Sequence, residues 1–443
     1  MEEFLLSLSR EHLAIVEHLS RCATCRRRFV GLTRHRSGPL ARKIADVLHW
    51  RESPPDYGPI IREHEQTFRE REQNMARERL EAPSLFVELL SYPVEQRELV
   101  FKNSPRFHTW GIFELMVERS LETGIRTPTY AEELGLLALQ LSEFLDASRY
   151  GSEVIHDLRA RAFGYIGNAR RIRSDLRGAE DAFQKAYAQL QEGTHDPLER
   201  AMLLDLEASL RRDQRLFDAA YKLLRRAISI FLQTGQRHRA GRSLVNLATV
   251  LHFSGDLSEA IPLLFQALEL IDPEQEPRLL LCTRHNLIDD LAEASRFLEA
   301  QRLYRDTRSL YRSFPDAWTQ NRRKWVKGKI ARGLGQVDQA ESLFLAARDG
   351  FIHEGIPYDT ALVSLELATL YAEQRRTADL KRLAEEMVPI FSSLHIHREA
   401  LAALAYLKQA AEAERATVDL VTGVAAYLRR AQHDPSLRFS VPE

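Results

Sequence analysis

Three residues near the N-terminus have the types and the spacing to hold a metal ion: His18, Cys22 and Cys25. The apolar residues Phe4, Leu5, Leu8, Leu13, Ile15 and Val16 predict a helix over residues 4–17, leading into His18. On a helix, His18 and Cys22 stand at i and i+4 and share one face. Cys25 follows three residues later and can fold back where the helix ends. Imidazole and thiolate are donors that suit zinc. A fourth donor has to come from His35, His49, water or a partner, because His12 points to a different face. Two other readings stand beside zinc, a metal-free remnant and a thiol redox pair. From Arg21 to Lys43 the chain carries eight Lys/Arg and no acid, with Phe29 the one aromatic residue inside the run. Such a run contacts phosphates or an acidic surface, or is a solvated arm.

Other chemistry is sparse. His285 precedes Asp289-Asp290 on one predicted helix, which suits a core or groove-lining role. His395 and His397 sit near a helix junction. There is no phosphate-binding Gly-x-x-x-x-Gly-Lys loop, Gly-x-Ser-x-Gly, His-Glu-x-x-His or Gly-x-Gly-x-x-Gly. The expectation is a protein that is not an enzyme.

The elements that must position these residues follow from a ladder. Ala179, Ala220, Ala260, Ala300 and Ala340 lie at intervals of 41, 40, 40 and 40, and Leu380 takes the next step. A large residue follows four places later at Phe183, Leu224, Leu264, Tyr304 and Phe344. Twelve places before each rung come Gly167, Ala208, Ala248, Ile288, Gly328 and Ala368. Fixed-period similarity means stacked supersecondary units, each packing on its neighbours. Small residues are needed where two helices cross closely, and Gly255 or Gly335 can end a first helix at positive φ.

Composition sets outer bounds. In 443 residues, 44% are hydrophobic, 28% are charged, and the formal net charge is −1, so no global field favours nucleic acid or membrane. Three cysteines are too few for a disulfide framework and point to a reducing compartment. Without a basic-then-apolar leader or a long apolar run, the expected location is cytoplasmic, with no membrane contact.

From about residue 156 to 430 the pattern resembles tetratricopeptide repeats. It is clearest in Asn246-Leu-Ala248 with Gly255, Ala260, Leu264 and Ala267, and in Gly328 with Gly335, Ala340, Phe344 and Ala347. The resemblance implies an all-α fold, a right-handed α-solenoid of helix pairs with a period near 40 residues, longer than that family's usual unit. Residues 18–29 resemble the His-x-x-x-Cys-x-x-Cys segment of zinc-binding anti-sigma factor domains. That implies one zinc ion and a sigma factor or other transcription component as partner.

The expected organisation is a small helical module at 1–50 and a linker with a charged helix at 51–82. Atypical helices follow at 83–158, repeats at 159–398, and capping helices with a tail at 399–443. In the charged helix, Ile61, Phe68 and Met75 make one narrow apolar stripe, suited to the solenoid surface or a short dimer seam.

In the repeat family the first helix of each pair lines a groove. The residues thereby expected to face a partner are Arg161, Asn168, Arg171, Arg212, Arg242, Thr249, His285, Asp289, Arg322, Trp325, Lys329 and Arg332. That set looks basic and implies an acidic protein or peptide partner. The alternative is a nucleic-acid-associated regulator whose basic 21–43 run touches phosphates while the solenoid senses a ligand.

Overall fold

The structure is a computed structural model. It describes His18, Cys22, Thr24 and Cys25, residues 58–124 and 127–393, Leu404, residues 407–411 and 416–431, Arg438 and Phe439. The expected helix at 4–17, the cations of the 21–43 run, His12, His35, His49, His395, His397 and most of the tail lie outside the described residues. The chain divides into two compact units, residues 1–78 and 79–443. The division falls inside the charged helix α1 (Gly58–Ser91).

The second unit begins with α2 (Val94–Asn103), α3 (Trp110–Thr123), α4 (Pro128–Ser142) and the short α5 (Ala147–Tyr150). Phe101, Phe107, Ile112, Phe113 and Met116 are fully buried among them. Arg79 ties the end of α1 to α3 through Glu114 at 2.6 Å. Helix pairs follow: α6 (Ser152–Ile172) with α7 (Leu176–Gln191), α8 (Pro197–Asp213) with α9 (Phe217–Gln233), and α10 (Arg237–Ser254) with α11 (Leu257–Leu270). The fourth pair is α12 (Pro277–Glu293) with α13 (Phe297–Asp306), which breaks at Thr307 into α14 (Arg308–Arg312). Next come α15 (Ala317–Gly333) with α16 (Val337–His353), α17 (Pro357–Glu373) with α18 (Thr377–Ser393), and finally α19 (Val418–Ala431). No strand occurs among the described residues. The fold is an α-solenoid. No described helix is long and apolar enough to cross a membrane.

Local chemistry sets the boundaries. Asp175, Asp196, Asp256 and Asp316 each cap a helix by accepting a backbone N–H, as Asp175 does from Gly178 at 2.9 Å. Pro197, Pro277 and Pro357 open α8, α12 and α17, where the missing N–H costs nothing.

The rungs Ala179, Ala220, Ala260, Ala300 and Ala340 are fully buried, and Leu380 nearly so. Each lies where the second helix of a pair crosses the first. At Gly167 an added Cβ would stand 3.0 Å from the Phe183 ring; at Gly328 it would stand 2.6 Å from that of Phe344.

First helices end in a left-handed residue at Ser174, Arg215, Gly255, Ser295, Gly335 and Arg375, with φ between 57° and 90°. Only two of these six positions hold glycine, so the sequence pattern revealed Gly255 and Gly335 and hid the other four.

Candidate functional site: the face of the first helices

The first helices α6, α8, α10, α12, α15 and α17 lie side by side, and cavities open along the face they form. The largest, about 790 Å3, is lined by Tyr165, Met202, Asp205, Arg239, Arg242 and Ser243 among others, from α6, α8 and α10. Asp205 accepts from the Asn246 amide at 3.1 and 3.2 Å, and burial pushes its carboxyl above the usual range. A cavity of about 210 Å3 lies between α10, α12 and α15 and one of about 220 Å3 between α12, α14 and α15; they meet at Asn286 and Arg322. A further one, about 310 Å3, is bounded by α12, α15, α17 and α19. There Arg429 of α19 stands 3.5 Å from Glu293 and 3.6 Å from Glu366.

The expected basic character is corrected by the structure, because almost every cation of the set meets a carboxylate. Arg161 forks onto Glu199, and Arg242 meets Glu276. Asp213 holds Arg171 at 2.5 Å and Arg212 at 2.8 Å. Burial pushes its carboxyl up, but these two guanidiniums override that and keep it below the usual range. Arg332 reaches Glu366 at 2.8 Å. Asn168 is occupied within α6, accepting from Arg171 at 2.9 and 3.1 Å. The Thr249 hydroxyl donates to the Val245 carbonyl at 2.8 Å while the residue lines the 210 Å3 cavity.

Three expected partner-facing residues are instead buried. Lys329 is 8% exposed, with its ammonium 2.6 Å from Asp289 and 3.0 Å from Glu293. Trp325 is also 8% exposed and packs edge-on against Phe351 at 6.1 Å. His285 is buried under Tyr311, Nδ1 to hydroxyl, at 2.7 Å. The reasons differ: Lys329 is closed in by α12, the neighbouring first helix, whereas Trp325 and His285 turn toward the second helix of their own repeat, at Phe351 and Tyr311.

Apart from Asp289, the carboxylates that neutralise this face escaped the sequence reading. Yet their spacing is legible, since most bonds join residues 34 to 42 apart, close to one repeat. His252 with Asp290, 38 apart at 2.7 Å, belongs to the same set. Asn246 with Asp205, 41 apart, does too.

In the first unit, the ligand atoms of His18, Cys22 and Cys25 all lie within 4.8 Å of one another. Cys22 N–H donates to the His18 carbonyl at 2.9 Å, the one-turn bond that brings the two side chains onto one face. Four-coordinate zinc, with bonds of about 2.0–2.3 Å, places its ligands about 3.3–3.8 Å apart, so the cluster would have to close by up to about 1 Å to hold it. His18 is exposed and both cysteines are half-buried.

Residues 199–272 match the tetratricopeptide repeat family. That segment carries tetratricopeptide repeats. None of the curated proteins matches it. Two solved structures share the repeat fold at 12% identity. One is a Rap protein complexed with competence and sporulation factor, at a TM-score of 0.52, covering 72% of this chain and 87% of that one. The other is aspartyl phosphate phosphatase F from Bacillus subtilis, at 0.51, covering 86% and 94%. The repeats therefore extend in shape well beyond the segment that the family matches in sequence.

Proposed function

We propose that the protein is a non-enzymatic interaction scaffold of bacterial regulatory or stress signalling, in which the repeat face binds a peptide or an extended protein segment. The observation that carries this reading is the row of cavities along the first helices, walled by side chains already fixed by inter-repeat bonds. Pre-ordered walls lower the entropy lost on binding. The likeness in fold to a Rap protein complexed with competence and sporulation factor supports a regulatory ligand at such a face. The compensated charge shifts the expected partner away from a strongly acidic tract toward a segment with mixed polar and apolar side chains.

Arg239 is exposed on the wall of the 790 Å3 cavity. Arg239→Trp should put a rigid ring on the wall of that cavity and narrow it without touching the core. Affinity capture from a native lysate, read by quantitative mass spectrometry, should lose the wild-type partner with the variant while the melting temperature stays within about 1 °C. Retention of the same partner would place its binding elsewhere.

We propose further that the first unit holds one zinc ion through His18, Cys22 and Cys25. The cluster's spacing and its soft donors support this. When bound, zinc would keep both sulfurs as thiolates and tie the helix end into a fixed turn. Purified full-length protein should contain about one zinc per chain, and Cys22→Ser should remove it. Wild-type protein without metal after purification in the absence of chelators would refute the assignment.

A further inference from the structure

Arg322, on α15, differs from every other cation expected on this face. It forms no ion pair with a carboxylate among the described residues. Its Nε donates to His285 Nε2 at 3.2 Å, and its guanidinium lies 5.2 Å from the Trp318 ring centre and 6.0 Å from that of Trp325. The two terminal nitrogens make no hydrogen bond among the described residues, and Arg322 lines two cavities.

The guanidinium is aimed by a relay. Because His285 Nε2 accepts from Arg322, its proton sits on Nδ1 and is donated to the Tyr311 hydroxyl. Burial, with Arg322 beside it, holds the imidazole neutral, its pKa pushed down to about 3. The lone pair that orients Arg322 therefore persists across the physiological range. Tyr311 stands eleven places after the rung Ala300, the buried register that Phe231, Ile271 and Phe351 fill in other repeats.

The cavities on either side of Arg322 are unlike. The 210 Å3 one contains Asp289 and Asp290, held by Lys329 and His252, and would repel an incoming anion. The 220 Å3 one is walled by Leu281, Cys282, Tyr311 and Trp318, with Arg278 and Arg322 on its rim and no carboxylate in its lining. Trp318 is 39% exposed at its mouth. The volume suits one aliphatic or aromatic side chain.

We propose that Arg322 anchors a ligand carboxylate carried beside an apolar side chain, with the apolar group entering the chamber of Leu281, Tyr311 and Trp318. A guanidinium edge offers two parallel N–H donors matched to the two oxygens of a carboxylate. This assignment rests on the peptide-binding reading above and gives it a chemical requirement. The carboxylate can be a chain end or an acidic side chain; both present the same two oxygens.

The test uses the full chain and four acetylated alanine pentapeptides, followed by calorimetry up to millimolar peptide. One ends in phenylalanine as the free acid, one is its amide, one is an amide with internal aspartate before phenylalanine, and one is that amide with asparagine in place of aspartate. At least one acidic peptide should bind tenfold or more tightly than its neutral counterpart, and which one does identifies the source of the carboxylate. Arg322→Gln should abolish the preference, Arg322→Lys should keep part of it, and Trp318→Ala should weaken binding of the phenylalanine peptides. Equal affinity for acidic and neutral peptides, a preference that survives in Arg322→Gln, or no binding by any peptide overturns the anchor. Loss of the captured partner in Arg239→Trp is an independent result, so the peptide-binding reading can stand while the anchor falls.

Discussion

Lys329→Met should destabilise the second unit by about 3–5 kcal/mol, the cost of removing one partner from a buried ion pair. The methionine fills most of the lysine's volume, so the loss is chiefly electrostatic. It leaves Asp289 and Glu293 facing each other in a site where Lys329 was 8% exposed. Arg429 still stands 3.5 Å from Glu293, which makes Asp289 the more exposed to the loss.

The pH dependence should change sign with the mutation. In the wild type burial pushes both carboxyls up, but Lys329 overrides it and holds them below the usual range. The stability they give is therefore present above the ordinary carboxylate pKa of about 4 and is lost as pH falls through their depressed values. Without the lysine, burial dominates and lifts Asp289 above its unfolded value. The variant should then gain stability as pH falls from 7 toward 5, where the wild type does not gain from these groups. Urea unfolding at pH 7 and pH 5 distinguishes the two slopes. Parallel slopes would mean that Asp289 is already solvated. Asp289→Asn in the Lys329→Met background should recover a large part of the loss, because it removes the unpaired charge.

Gly328→Ala should cost about 1–3 kcal/mol, the usual price of overpacking, even though alanine is the better helix former by about 1 kcal/mol. The added Cβ would stand 2.6 and 2.7 Å from two ring carbons of Phe344, a side chain with no exposure and no room to turn. Gly167 occupies the same place in the first repeat but with 3.0 Å to Phe183, so Gly167→Ala should be milder. Phe344→Leu, destabilising alone, should make Gly328→Ala nearly neutral or favourable. Thermal melts of the two singles and the double measure this coupling directly. Additive effects would show that the two residues do not meet.

The sequence exposed the crossings because a crossing needs a small residue, and a small residue repeated at a fixed period is conspicuous. Ala260 and Gly328 could be placed from spacing alone. The charge on the first-helix face was not legible in the same way. An arginine at an inward position looks identical whether it faces solvent or a glutamate one repeat later. Arg161 and Glu199 become a pair only when the repeats are stacked. Lys329 and Trp325 were assigned to the groove by register. What the register could not convey is that α12 closes over Lys329 and that Trp325 turns onto Phe351 of its own repeat. The Arg322 anchor was hidden for another reason: it depends on His285 meeting the Tyr311 hydroxyl and Arg322 meeting His285, contacts between helices that spacing does not announce.

The left-handed turns at Ser174, Arg215, Ser295 and Arg375 show that the bend between helices is imposed by the packing on either side and not encoded by the residue that makes it. Each such residue costs about 1 kcal/mol relative to glycine, and the buried crossings absorb it. The shape of a unit is thus insulated from the letters at its corners. Sequences built this way can drift until neighbouring copies no longer look alike, while the outline of the array persists. That insulation accounts for a likeness in shape over most of the chain beside a recognisable sequence match confined to residues 199–272.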